Sequence, residues 1–201
     1  DIPPTMTGSG GTVSTPSGYR VHTFTSSSSF SVLGAAGAVD ILIVGGGGGA
    51  GNNLGGGGGG AEVTWIQNRT LAVGSYTVSI GGGGAGTSSF EGDGVQGTGS
   101  YFASDYGSED TFARPGGGGP GSLADYYASA KNASGSNSTS ISGTGNGGGG
   151  DSTSSYATAG QGYNATARSA PSNPGETWAI YGGNEGGDGT QGSTQKAGGG
   201  S

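Results

Sequence analysis

The chain has 201 residues, 53 of them glycine, with 29% hydrophobic and only 9% charged, where an average globular chain has roughly 7% glycine and roughly 25% charged residues. Such a chain cannot bury a large apolar core, and a net charge of -7 with a pI near 4.3 argues against a surface for nucleic-acid phosphates. The absence of cysteine excludes disulfides and thiolate metal sites, and no apolar run approaches the roughly 20 residues of a membrane-spanning helix. Low hydrophobicity often means disorder, but disorder of that kind usually comes with many charges. With charges scarce, backbone hydrogen bonding is the expected main source of order.

The chain begins at Asp1 without a basic n-region or an apolar signal segment, which fits either a processed protein or a piece of a longer one. Residues 1–17 carry Pro3, Pro4 and Pro16 around Gly8-Ser9-Gly10-Gly11 and read as an extended arm and flexible linker. Its large apolar residues are Ile2 and Met6. Such a leader is either a loose terminus or, through Ile2, Pro3, Pro4 and Met6, an arm that docks on a neighbouring subunit.

Residues 18–80 read as β-rich. Tyr19 to Thr25 is β-branched and aromatic, Ser26 to Ser29 is a polar turn, and Phe30-Ser31-Val32 resumes the alternation, which predicts a hairpin. Val39 to Val44 follows, with Val39, Ile41 and Ile43 on one face and Leu42 and Val44 on the other. That pattern predicts a central strand buried on both sides. Ala61 to Ile66 begins the next strand, and Ser75 to Ile80 alternates with Tyr76, Val78 and Ile80 on one face. Four to six strands are expected before Gly81, enough for an antiparallel sheet or small sandwich.

Residues 81–201 form a glycine-rich region packed on or extending that sheet. Glycine blocks stand at Gly45 to Gly49, Gly55 to Gly60, Gly81 to Gly84, Gly116 to Gly119, Gly147 to Gly150 and Gly198 to Gly200. They are either flexible loops, given glycine's large entropy of ordering, or polyproline-II-like (polyglycine II) threads of three residues per turn. Lacking side chains, such threads can touch and exchange lateral backbone hydrogen bonds. A short helical turn at Leu123 to Lys131, capped by Ser122, is the one helix the sequence allows. The fold class is all-β, with threads and loops in the second part.

Gly18-Tyr19-Arg20-Val21-His22-Thr23-Phe24-Thr25, Phe30-Ser31-Val32, Val39 to Val44 before Gly45 to Gly49, and Gly74-Ser75-Tyr76-Thr77-Val78-Ser79-Ile80 before Gly81 to Gly84 recur here in order. From Gly18 to Phe102 the chain resembles the glycine-rich domain of tail-fibre and other surface proteins of phages and of related viral and bacterial proteins. The resemblance implies a surface fibre or adhesin module without enzymatic activity, on a virion or outside a cell, and assigns no receptor.

No catalytic residue is assigned. The run from Val39 through Ala50, with Glu62 downstream, matches a dinucleotide fingerprint only as a pattern, because Gly51 to Gly60 cannot form the helix that faces a pyrophosphate. His22 is the only histidine. It has no second imidazole or thiol to complete a metal site and reads as a strand residue with one nitrogen satisfied by a neighbour. Glu91 and Asp93, Glu109 and Asp110, and Glu185 and Asp188 make oxygen-rich loops of the kind that hold calcium. Neither an EF-hand spacing nor a nonapeptide repeat is present, so polar turn chemistry comes first and no cofactor is assigned.

Asn68, Asn132, Asn137 and Asn164 head Asn-X-Ser/Thr sequons, candidate glycosylation sites that a Ser/Thr-rich chain also produces by chance. The second-half aromatics include Tyr126, Tyr127, Tyr163, Trp178 and Tyr181. They either seal packed threads or a subunit interface or stack on a cell-surface glycan, with Trp178 and Tyr181 the first to test. The sequence thus points to a non-enzymatic module that builds or tips a fibre through contacts with copies of itself. A carbohydrate-binding tip is the alternative, and a hydrolase is disfavoured because no base accompanies the many hydroxyls.

Overall fold

The computed structural model describes residues 4–50, 58–89, 94–103, 111–115 and 175–181. In chain order the strands are β1 (Thr7–Ser9), β2 (Thr12–Ser14), β3 (Val21–Thr23), β4 (Ser28–Leu33), β5 (Gly37–Val44), β6 (Val63–Leu71), β7 (Gly74–Ser79), β8 (Ser100–Phe102), β9 (Phe112–Ala113) and β10 (Thr177–Tyr181). One 3-10 turn covers Pro16–Gly18. Among the described residues every strand pairing is antiparallel. A five-stranded sheet has the order β1-β4-β7-β8-β9, a three-stranded sheet β10-β6-β5, and a two-stranded ribbon β2-β3. The fold is all-β, as the alternation in the sequence predicts. The Leu123 to Lys131 turn lies outside the described residues.

One core joins the two larger sheets. Phe30, Val32, Val78, Phe102 and Ala113 come from the first, and Ile43 and Leu71 from the second. Tyr76 and Ile80 pack against it from the Tyr76-Val78-Ile80 face. Phe30 centres the aromatic contacts, edge-on to His22 at 5.1 Å and to Phe24 at 6.4 Å, with Phe102 at 6.2 Å. Phe102 in turn stacks on Tyr76 at 5.6 Å. In a chain so poor in apolar residues these rings supply much of the buried area.

Three expectations are revised by the pairing. The hairpin of Tyr19 to Thr25 with Phe30 to Val32 does not form, because β3 pairs with β2 and β4 pairs with β1 and β7. The leader is therefore built into its own chain through β1 and β2. The turn between them uses Gly10 and Gly11, both at positive φ where a Cβ would meet the Ser29 and Thr23 carbonyls. Met6 packs on the core, while Pro4 is exposed and Ile2 and Pro3 lie outside the described residues.

The third revision concerns β5, which is an edge strand buried on one face. Among the described residues it pairs with β6 alone. Ile43 is buried, whereas Leu42 and Val44 are 66% and 53% exposed. A continuous apolar run looks the same in a two-sided central strand and in a strand whose outer face is apolar and open.

Between β5 and β6 the register slips by one residue after Val39. Gln67 and Asn68 there oppose Asp40 alone, a bulge in which Asn68 takes φ 59° and its N–H donates to Asp40 Oδ1 at 2.9 Å. Asparagine tolerates that left-handed conformation better than most residues. This sequon asparagine thus has a structural reason to be where it is.

Candidate functional site

Where β5 ends, the side chains end too. Segment 45–50 continues β5, 58–62 leads into β6, 81–87 continues β7, and 94–98 leads towards β8. Packed sheets normally stand about 10 Å apart because side chains fill the gap. Here glycine removes the filling, and segments from both layers come into direct backbone contact. A Cβ added at Gly46, Gly49, Gly81, Gly84 or Gly97 would overlap a carbonyl oxygen of a neighbouring segment.

The contacts have a period of three. Gly45 and Gly48 donate to the carbonyls of Glu62 and Gly59 at 3.1 and 2.8 Å. Gly46 and Gly49 donate to Thr98 and Val95 at 2.9 and 2.8 Å, and the carbonyls of Gly47 and Ala50 accept from Gly84 and Thr87 at 2.8 and 3.2 Å. Each of the three rows of segment 45–50 therefore faces a different neighbour. The outer two neighbours also bond each other, Val95 to Ala85 at 2.8 Å and Thr98 to Gly82 at 2.9 Å. Segment 81–89 repeats the period in its exposure, with 81, 84 and 87 half-buried and the two residues after each exposed. A β-strand would alternate in twos.

At the root of this stack Glu62 is 1% exposed. The Thr64 hydroxyl is a shared donor, 3.1 Å from Glu62 Oε1 and 2.8 Å from the Phe112 carbonyl. Arg114 Nε lies 4.0 Å from Glu62 Oε2, its guanidinium sits 5.9 Å from the Phe112 ring centre, and its carbonyl accepts from the Glu62 N–H at 3.0 Å. The acid that would have served a dinucleotide ribose is thus sealed inside the scaffold. His22 Nδ1 is 2.7 Å from the Gly10 carbonyl; a carbonyl only accepts, so Nδ1 carries the proton.

The outer face of the three-stranded sheet is the second feature. Leu42 pairs with Trp65, which pairs with Ala179, and Val44 pairs with Val63, which pairs with Tyr181. All six share one face and none is charged. Leu42, Val44, Trp65 and Tyr181 are 66%, 53%, 39% and 59% exposed. Trp178 stands opposite Ile66 on the inner face. It is half-buried, and its Nε1 donates to Glu176 Oε2 at 3.0 Å, which also takes Arg69 Nη1 at 3.2 Å.

The structure therefore separates the two rings that the sequence groups as candidate contacts, leaving Tyr181 outside and turning Trp178 in. It adds Trp65 and Leu42, which only the strand register brings beside Tyr181. Tyr126, Tyr127, Tyr163, Asn132, Asn137, Asn164 and the paired carboxylates from Glu91 to Asp188 lie outside the described residues. Among the described residues no three potential metal ligands come together, and no helix is long and apolar enough to cross a membrane.

A family model described as a glycine-rich domain matches residues 22–201. The chain belongs to that family. Comparison with curated proteins and with solved structures found no match. The match takes in β4 to β10 and the later glycine blocks, and leaves out β1 and β2.

Proposed function

We propose that this glycine-rich domain is a non-enzymatic structural module of an extracellular or virion surface, building or tipping a fibre through contacts between its own copies. The observation that carries the reading is the open sheet face of Leu42, Val44, Trp65 and Tyr181. A contiguous exposed apolar patch marks an interaction surface. None of the six side chains is charged, and the nearest carboxylate along β5, Asp40, already accepts the Asn68 N–H at the rim, so two copies can bring the patch together although each chain carries -7 overall.

The period-three bonding supports the same reading. A period of three is what polyproline-II-like (polyglycine II) threads would produce, and a stack held by backbone bonds gives rigidity without a large core. The resemblance to phage and viral surface proteins points to the same setting.

Electron microscopy and light scattering of the native chain near neutral pH test this. Regular filaments or oligomers that dissolve on Leu42→Asp are expected. A chain that stays monomeric up to millimolar concentration would overturn the reading.

One observation favours a second reading, a carbohydrate-binding surface. Trp65 Nε1 and the Tyr181 hydroxyl make no hydrogen bond among the described residues, so two exposed rings offer both an apolar face and a polar edge. In a glycan array, saturable binding by the monomer that falls at least tenfold in Trp65→Ala and Tyr181→Ala would support it. Binding unchanged by either substitution would dismiss it.

A further inference from the structure

We infer that the backbone row through Gly83 and Gly86 is a docking edge for a second copy of this chain, joined by lateral hydrogen bonds between threads. This rests on the self-assembly reading above and names a second contact surface, separate from the apolar sheet face.

Segment 81–89 has three rows. The row of Gly81, Gly84 and Thr87 faces inward, with Gly84 and Thr87 bonded to segment 45–50, and the carbonyls of Gly82 and Ala85 accept from segment 94–98. In the third row Gly83 and Gly86 are exposed and, among the described residues, make no hydrogen bond. Unpaired donors and acceptors repeating along a rigid edge are a template for another backbone, as at an open β-strand edge.

An independent observation concerns the residue type. Gly84 must be glycine, because a Cβ there overlaps the Val95 carbonyl. Among the described residues Gly83 and Gly86 have no such reason. The nearest atom to an added Cβ is the Gly47 oxygen at 3.7 Å and the Ala50 oxygen at 3.5 Å, both ordinary contacts, and neither residue is at positive φ. Glycine in an ordered segment costs roughly 0.5–1 kcal/mol relative to alanine. A backbone arriving from outside at contact distance supplies the missing reason.

The occupant is a second copy because the row is exposed and unpaired among the described residues, and because the segment Gly81 to Ser89 has no charge to repel itself. A two-fold axis perpendicular to the threads pairs them antiparallel. Antiparallel pairs already occur in the stack, 45–48 with 59–62 and 46–49 with 95–98. One self-complementary contact gives a dimer; two different ones on the same subunit, the sheet face and this edge, propagate into an open filament when their two-fold axes do not meet.

The test is the double variant Gly83→Ala/Gly86→Ala in the full chain, followed by circular dichroism, light scattering and electron microscopy. Its spectrum and melting temperature should match the wild type, while assembly stops at dimers or its dissociation constant rises at least tenfold. Filaments indistinguishable from wild type would overturn the edge and leave the self-assembly reading standing. A double variant that loses its fold would show that the chain itself fills the row, which also overturns it. Wild-type chain that stops at dimers abolished by Leu42→Asp keeps the sheet face and rejects the edge, and a wild type that never associates rejects both.

Discussion

Gly84→Ala is expected to collapse the stack of glycine segments, costing about 4 kcal/mol or more, while Gly83→Ala one residue away changes dilute, unassembled protein by less than about 1 kcal/mol. The two substitutions add the same methyl group. At Gly84 it overlaps the Val95 carbonyl and the backbone of Gln96, neither of which can rotate aside, and Gly84 N–H holds the bond to Gly47. At Gly83 it meets ordinary contacts and restricts the unfolded chain. Urea titration followed by tryptophan fluorescence decides it. Since a whole domain is stable by only about 5–15 kcal/mol, Gly84→Ala is expected to be largely unfolded or insoluble at 37 °C. Equal midpoints for the two variants would mean that the lateral contacts do not hold this region together.

Arg114→Met is expected to destabilise the domain by about 3 kcal/mol, and adding Glu62→Gln should restore a good part of that loss. Glu62 is buried, with the guanidinium 4.0 Å away as its neutralising partner. Removing the cation leaves a buried carboxylate uncompensated, which costs more than the pair itself contributes. The main-chain bond from Glu62 N–H to the Arg114 carbonyl survives both changes, so a double-mutant cycle isolates the side chains. A loss under about 1 kcal/mol in Arg114→Met would show that Thr64 and its neighbours solvate the carboxylate by themselves.

Much of the strand content is legible in the residues, since period-two alternation is a local property. Phe30-Ser31-Val32 and the Tyr76-Val78-Ile80 face lie where their spacing places them. His22, alone among ligating residues, is bound to a backbone carbonyl as a solitary strand histidine should be. The leader is less legible. Its glycines and prolines suggest a linker, yet Gly10 and Gly11 serve a turn between two short strands. The apolar face was hidden for another reason: Leu42, Trp65 and Tyr181 are far apart in the chain, and only the register of β5, β6 and β10 makes them neighbours.

By itself the sequence determined an all-β, side-chain-poor chain in which backbone bonds must supply much of the order, because composition limits what can be buried. Tertiary structure decided which glycines are obligatory. Gly83 and Gly84 are neighbours in one glycine run, and the approach of Val95 to Gly84 alone makes only one of them obligatory. It also decided that Trp178 faces inward and Tyr181 outward, because strand pairing, which acts across more than a hundred residues, assigns each side chain to a face.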